Sequence, residues 1–216
     1  MEIRDRVIRR AAKARVNLSE PAVAKLTDYF ELLRKWNRKV ALTSLPVETS
    51  GDEAIDRLLI EPVLAVTHLQ MPVSTMIDIG SGGGSPAIPM KLVVPRASMR
   101  MVESKTRKAA FLREAIRVLE LDSTEVEPVR FEELLSRPSL HEAADAVTIR
   151  AVRVDRKLLL AIQSLLRPGG SLCVFTTQSL PMPPFTGSEF TLAASYPLVA
   201  HYGSQLAIFK RAELRG

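Results

Sequence analysis

The stretch that decides the fold is Ile77-Asp78-Ile79-Gly80-Ser81-Gly82-Gly83-Gly84-Ser85-Pro86. It reads as an apolar strand, a glycine-rich turn, and a proline that can occupy the first turn of a helix without losing a hydrogen bond. Glycine accepts positive φ, and the missing Cβ lets a ligand approach the backbone. The N-terminus of the helix that follows offers free N–H groups and partial positive charge. The stretch therefore indicates either a nucleotide-binding loop or a tight connection alone.

A carboxylate on the next predicted strand favours the nucleotide. Glu103 ends that strand 23 residues after Gly80, where a Rossmann fold presents an acid to ribose hydroxyls. The glycine spacing is G-x-G-x-G, and Ser85 stands where the dinucleotide pattern has its third glycine. A carboxylate accepts two hydrogen bonds from the ribose diol and repels a 2′-phosphate, which disfavours NADP. The alternative is an exposed glutamate at a strand end.

The chain from residue 75 onward alternates short apolar runs with helical stretches, which is typical of βαβ units and a parallel sheet. Strands are predicted at Thr75–Ile79, Ser98–Val102, Glu125–Val129, Ala146–Ile149 and Ser171–Thr176. Helices are predicted at Pro86–Val94, Lys105–Glu120, Phe131–Ser136 and Asp155–Leu166. Arg167-Pro168-Gly169-Gly170 predicts a turn before a strand. Strands near Glu189–Ser195 and Gln205–Lys210 would form a terminal antiparallel pair, so the fold class is α/β with a seven-stranded, mostly parallel sheet.

The first 70 residues read as helices. One helix is predicted over Ile3–Val16, a second opens at the cap candidate Ser19 with Pro21 in its first turn, and a third follows Asp52 and runs to about Thr67. We therefore predict an N-terminal helical region at 1–70 and a Rossmann-like domain at 71–216.

Three further candidates follow later predicted strands. Phe131 and Glu132 come after the third strand, where an aromatic ring could pack on an adenine face and a backbone N–H could meet its ring nitrogens. Arg150 ends the fourth strand, at the edge where open α/β sheets bind ligands, and its fork geometry suits a phosphate or carboxylate. The alternatives are a core residue for Phe131 and a solvated side chain for Arg150.

The composition excludes several other classes of site. The single cysteine, Cys173, excludes an internal disulfide, and the three histidines are far apart, so we predict no metal site. No apolar run reaches the length of a membrane span and the N-terminus has no signal-peptide pattern, so we expect a cytoplasmic protein. The formal net charge is +6, which favours a polyanionic partner such as RNA or marks a solvated helix face. Met182-Pro183-Pro184-Phe185 is interpreted as a loop.

Several blocks together resemble the 16S ribosomal RNA guanine N7-methyltransferases, also called glucose-inhibited division protein B. The resemblance covers nearly the whole chain. The blocks are Leu32–Thr43 with its Trp-Asn and Leu-Thr, Asp78–Gly82 through Ile88-Pro89, Glu103–Lys105 through Arg113, Ile149–Val152, and Leu166–Gly170.

The resemblance implies a class I methyltransferase fold, S-adenosylmethionine as cofactor, and 16S rRNA or a 30S subunit precursor as partner of a monomeric enzyme. It also implies the site: the family's cofactor contacts fall on Gly80, Ser85, Phe131, Glu132 and Arg150, within a loop that includes Gly82 and Gly84, and Glu103 would hold the ribose by analogy with the wider class. Guanine N7 carries a lone pair and no proton, so no general base is expected. Arg150 would position substrate or cofactor.

The chain departs from the family pattern at three places. Ser85 replaces a bulky apolar residue, Phe131 replaces alanine, and the Arg-His-…-Asp-Ser block reads Arg57-Leu58-Leu59-Ile60-Glu61-Pro62. Two alternatives therefore remain open: a relative that methylates another acceptor, and a non-catalytic RNA-binding or assembly module that retains the fold.

Overall fold

The computed structural model describes residues 2–49, 51–70, 72–177, 185 and 188–213. Its sheet has seven strands in the order β3-β2-β1-β4-β5-β7-β6. The strands are β1 Thr75–Ile79, β2 Ser98–Val102, β3 Thr124–Glu127, β4 Ala144–Arg150, β5 Leu166–Thr176, β6 Phe190–Pro197 and β7 Gln205–Arg211. The first five are parallel, and β7 runs antiparallel between β5 and β6. The predicted α/β fold class with its seven-stranded sheet is confirmed.

Helices cover both faces of this sheet. They are α1 Ile3–Lys13, α2 Glu20–Asn37, α3 Glu53–Ile55, α4 Glu61–Val66, α5 Ala87–Val93, α6 Thr106–Leu119 and α7 Arg156–Leu165, with a π-helical turn at Asp56–Ile60 and a 3₁₀ helix at Phe131–Ser136. One apolar cluster joins the N-terminal helices to α5 and α6, and a second lies under α7. The strand order changes direction between β1 and β4, which is where open α/β sheets form a ligand crevice. None of the described helices is long and apolar enough to span a membrane.

Helix α2 forms where the sequence predicts it. The Ser19 hydroxyl accepts a hydrogen bond from the Ala22 N–H at 3.4 Å, and Pro21 lies in the first turn. The apolar stripe is buried at Leu26, Tyr29, Phe30 and Leu33. The helix thereby fixes the N-terminal region against the sheet.

A π-helical turn separates α3 from α4, where the sequence predicts one continuous helix. The Glu61 N–H donates to the carbonyl of Asp56, five residues earlier, so the Arg57 carbonyl loses its α-helical donor. Pro62 has no N–H and leaves the Leu58 carbonyl without one as well. Both carbonyls are bonded from outside the helix, the first by Arg150 and the second by Ser85. The proline therefore does not end the helix.

Several predicted boundaries are wrong: the first helix ends at Lys13 rather than Val16, β4 is longer than predicted at both ends, and two further differences have a clear physical reason. Arg167–Gly170 is not a turn ahead of β5, because Leu166 already pairs with Ala144 and the pairing resumes at Ser171 opposite Ala146. The four residues form a bulge inside the strand. Strand β3 ends at Glu127 rather than at residue 129, since Pro128 cannot donate to the ladder.

Candidate active site

A cavity of about 320 Å³ opens at the carboxyl edge of β1, β2 and β3; we call it the Gly80 cavity. Four of the residues predicted from sequence line it: Gly80, Glu103, Phe131 and Glu132. They come from three separate connections that follow parallel strands, so the sheet topology alone brings them together. The cavity lies where α/β folds of this type bind nucleotides.

Gly80 is required by both its backbone and its surroundings. Its φ is +76°, and a Cβ would lie 2.7 Å from Cγ2 of Val152, a distance that no real Cβ tolerates. Its N–H donates to the Val102 carbonyl at 2.9 Å, which ties the turn to β2. The missing Cβ lets the Val152 side chain pack directly against the turn, where both residues line the cavity.

Glu103 points at the glycine turn. Its side chain is buried; Oε2 accepts the Gly82 N–H at 3.0 Å and Oε1 accepts the Lys105 N–H at 2.7 Å. Each carboxylate oxygen can accept a further bond. The carboxylate is therefore fixed in place at the cavity wall with acceptor capacity to spare, as a ribose diol requires.

The other predicted loop residues, Gly82, Gly84 and Ser85, are not among the residues that line the Gly80 cavity. A Cβ on Gly84 would lie 2.5 Å from Ile88 Cδ1, so this glycine permits the close packing of α5. The Ser85 hydroxyl donates to the Leu58 carbonyl at 2.9 Å. Gly82 has φ +53°, and the nearest atom to its added Cβ would be the Gly80 carbonyl oxygen at 3.7 Å. Contacts of Gly82, Gly84 and Ser85 with a cofactor stay predictions.

The 3₁₀ helix at Phe131–Ser136 forms the third wall. Phe131 is half-buried and packs against the apolar cluster under α7. The Glu132 carboxylate is 2.9 Å from Lys157 Nζ, and this hydrogen bond holds the pKa of Glu132 below its usual range. Glu132 therefore remains an anion beside the cavity.

Arg150 lies in a neighbouring cavity of about 230 Å³ at the carboxyl ends of β4 and β5; we call it the Arg150 cavity. Its Nη2 is 2.6 Å from Oε2 of Glu61, and its Nη1 donates to the Arg57 carbonyl at 2.5 Å. The guanidinium carbon is 5.6 Å from the ring centroid of Phe175. Val152 lines both cavities, so they adjoin.

Two buried carboxylates near this boundary, those of Glu61 and Asp78, were not predicted as site residues from the sequence. Burial raises the pKa of Glu61, and the charge of Arg150 offsets part of that effect. Asp78, at the end of β1, accepts a 2.5 Å hydrogen bond from the Thr148 hydroxyl, and burial raises its pKa to about 6. For Asp78 the signal was available, because an aspartate inside an apolar parallel strand has no solvent to face.

The N-terminal region holds the glycine turn in place. The Tyr29 hydroxyl donates to the Gly83 carbonyl at 2.6 Å, and burial raises the pKa of this phenol. Asn37 Oδ1 accepts the N–H groups of Leu42 and Thr43 at 2.9 and 3.0 Å. This explains the Trp-Asn and Leu-Thr pairing in the sequence, because the amide shapes the loop that covers Gly83.

Other candidate chemistry is not supported by the described part of the chain. Cys173 is buried in β5, and burial raises the pKa of its thiol to about 12, so it serves as a packing residue. Within the described ranges no group of His, Cys, Asp and Glu could hold a metal ion. Residues 182–184 of the proline-rich segment lie outside the described residues.

Comparison with known proteins places the chain in a family. A family model described as rRNA small subunit methyltransferase G (GidB) matches residues 22–180. The ribosomal RNA small subunit methyltransferase G of Neisseria meningitidis is 33% identical over 79% of this chain and 78% of its own length. That of Xanthomonas euvesicatoria is 35% identical over 72% of this chain and 69% of its own.

Solved structures agree on the fold. A SAM dependent methyltransferase from Aquifex aeolicus superposes with a TM-score of 0.55 at 13% identity, covering 73% of this chain and 95% of its own. The precorrin-6y C5,15-methyltransferase from Geobacter metallireducens gives 0.52 at 16% identity, covering 68% and 84%. The match to the family model and the identity to its named relatives show that the chain belongs to the rRNA small subunit methyltransferase G family.

Proposed function

We propose that this protein is an S-adenosylmethionine-dependent methyltransferase that transfers a methyl group to N7 of a guanine in 16S ribosomal RNA. The observation that carries the proposal is the Gly80 cavity, with a fixed carboxylate at its wall, in a chain of this family. The relatives are named for the small-subunit rRNA, and the N7 position is the assignment we add.

The residues present fit an adenosyl cofactor. A side chain at Gly80 would clash with Val152, which lines the same cavity, so this wall of the cavity requires glycine. Glu103 would hold the ribose hydroxyls, Phe131 would pack on the adenine, and the backbone beside Glu132 would meet the ring nitrogens. When bound, the cofactor supplies a sulfonium methyl group that a nucleophile can attack directly.

The protein's chemical work is alignment. Guanine N7 carries an in-plane lone pair and no proton, so the reaction requires no general base. The glycine turn and Glu103 would fix the cofactor, so that only the base has to be brought into line with its methyl group, which lowers the entropy cost of the in-line encounter. Asp78 and Glu61 are buried acids that shape this boundary rather than proton acceptors.

A basic rim around the cavities favours RNA as the partner. Five exposed cations follow three strands at the ligand-binding edge of the sheet: Lys105, Arg107, Arg130, Arg153 and Arg156. Across the described ranges none of them forms an ion pair, so their charge is available to phosphates. Each phosphate contact steepens the dependence of affinity on salt concentration by about 0.7 to 0.9 in the log–log slope.

Methyl transfer to ribosomal particles tests the proposal. Purified protein with radiolabelled S-adenosylmethionine is incubated with 30S particles from a strain lacking the native enzyme, and the product is mapped by strand cleavage specific for N7-methylguanine. We expect one labelled guanine in 16S rRNA. Transfer only to a small molecule, or to a position other than guanine N7, contradicts the assignment.

The double variant Arg130→Ala, Arg153→Ala should flatten the salt dependence of RNA binding. The control Arg96→Ala, at the opposite edge of the sheet, should change that salt dependence less.

A divergent acceptor is the second candidate. It is favoured by one observation: Arg57 and Glu61, from the block that departs from the family pattern, line the Arg150 cavity next to the cofactor crevice. Cofactor binding together with failure to label 30S particles would support it, and absence of cofactor binding would leave a non-catalytic RNA-binding module. The main proposal also includes a monomeric state, a 30S precursor as partner and a cytoplasmic location. Light scattering tests the monomeric state.

A further inference from the structure

The guanidinium of Arg150 is held on three sides. Nη1 donates to the Arg57 carbonyl that the π-helical turn leaves free, and Nη2 donates to Oε2 of Glu61. The ring of Phe175 lies beneath, with its centroid 5.6 Å from the guanidinium carbon. Because a guanidinium is planar, these three contacts fix both its position and its plane. Glu61 itself is only 1% exposed and lies in the wall of the Arg150 cavity beside Arg57 and Arg150.

The charges around the cavity do not balance. Two guanidinium groups, those of Arg57 and Arg150, line it with one carboxylate, that of Glu61. The Arg57 Nε is buried and has no hydrogen-bond partner within the described ranges. The other carboxylate near Arg57, that of Glu53, is 3.7 Å away and considerably more exposed. An anionic group entering the cavity would therefore meet excess positive charge.

The Arg150 cavity continues the Gly80 cavity. Strand β4 pairs with β1 so that Ile149 lies opposite Ile79, which places Arg150 beside Gly80 at the sheet edge. Burial raises the pKa of Asp78, and the charge of Arg150 is close enough to offset part of that rise. Because Val152 lines both cavities, a ligand with its sugar at Glu103 and its other end at Arg150 would pass beside Val152.

We infer that Glu61 is a positioning residue: it holds Arg150 in the orientation that binds the carboxylate at the amino-acid end of the cofactor, without touching the cofactor itself. This inference rests on the proposed function. It gives the altered Arg57–Pro62 block a definite role, because the carbonyl of Arg57 and the carboxylate of Glu61 both act on the same guanidinium.

Two ligands that differ only at that end test the inference. S-Adenosylhomocysteine carries the amino-acid group, and 5′-methylthioadenosine lacks it while keeping the adenosine and sulfur. Both are titrated calorimetrically into the wild type, Glu61→Gln and Glu61→Asp. The matched control is Asp56→Asn, which removes an equally buried carboxylate of the same π-helical turn that pairs with Arg10 at 2.6 and 2.5 Å instead.

Glu61→Gln should weaken S-adenosylhomocysteine about tenfold or more, the worth of a charge-assisted hydrogen bond, and leave methylthioadenosine within about twofold. Glu61→Asp withdraws the carboxylate by one methylene and should weaken the first ligand about three- to tenfold. Asp56→Asn should lower stability and change neither affinity. If Glu61→Gln does not fold, Glu61→Asp decides the matter.

Three outcomes overturn the inference. A folded Glu61 variant with unchanged affinity for S-adenosylhomocysteine shows that Arg150 needs no positioning. Equal weakening of both ligands assigns Glu61 a structural role alone. Loss of RNA affinity with unchanged S-adenosylhomocysteine binding assigns the positive charge to a phosphate of the RNA. All three outcomes leave the proposed function standing. A wild type that binds neither ligand contradicts both the inference and the proposed function.

Discussion

Two departures from the family pattern, Ser85 and Pro62, compensate for each other in this structure. Pro62 has no N–H, so the carbonyl of Leu58, four residues earlier, lacks its α-helical donor. The hydroxyl of Ser85 donates to that carbonyl at 2.9 Å instead. We predict that Ser85→Ala is destabilising only while residue 62 is proline, because alanine at position 62 restores a backbone donor.

The magnitude follows from the surroundings of the Leu58 carbonyl. Leu58 is only 6% exposed, so water does not readily replace the lost donor. Leaving a buried acceptor unsatisfied costs about 1–3 kcal/mol. We therefore expect Ser85→Ala to lower the free energy of unfolding by about 1–2 kcal/mol in the wild type and by less than about 0.5 kcal/mol in the Pro62→Ala background. The coupling energy between the two positions should be at least about 0.5 kcal/mol.

Urea unfolding of four proteins measures this coupling: the wild type, the two single variants and the double variant. The slopes of the transitions must agree for the free energies to be compared. A cost of Ser85→Ala that is the same in both backgrounds would refute the reasoning, since it would mean that the hydroxyl does not replace the donor that proline lacks.

Three further predictions concern the crevice. Gly80→Ala should lower the free energy of unfolding by at least about 1–2 kcal/mol, because alanine is strained at a φ of +76°. The clash of its Cβ with Val152 should add a steric cost, which Val152→Ala should relieve. If the effects of the two substitutions are additive in urea unfolding, the 2.7 Å contact is contradicted. Because burial raises the pKa of Asp78 to about 6, the folded state binds the proton of this carboxyl more tightly than the unfolded state does. The stability of the wild type relative to Asp78→Asn should therefore fall between about pH 4 and 6. Above that range the difference should stay about 2–3 kcal/mol less favourable to the wild type than it is below pH 4. A stability difference independent of pH in thermal unfolding would count against the buried charge. Gly82→Val should lower affinity for S-adenosylhomocysteine at least about tenfold by calorimetry; unchanged affinity in the folded variant removes Gly82 from the site.

Much of the fold was predictable because it is encoded locally. Strands β1 and β2 have the predicted bounds, since each is a short apolar run between clear turn signals. The placement of Glu103 followed from topology, because the carboxyl ends of neighbouring parallel strands meet at one edge. The division into domains at residue 70 stays a prediction; the N-terminal helices share one apolar cluster with the sheet.

The contacts that complete the site were not predictable because they join residues far apart in the chain. Arg150 and Glu61 are separated by 89 positions, and nothing in either local sequence indicates the other. The π-helical turn adds a second difficulty. Its extra residue changes which carbonyls of the helix are free, so the periodicity that reveals a helix does not show that Ser85 and Arg150 will bond to it.

The proposed function requires that an adenosyl cofactor binds between Gly80, Glu103 and Phe131. The most direct measurement is a crystal structure of the complex with S-adenosylhomocysteine at saturating concentration. We predict density for the adenosine in the Gly80 cavity, with both ribose hydroxyls within hydrogen-bond distance of the Glu103 carboxylate. An empty crevice, or a ligand whose ribose contacts other residues, would contradict it.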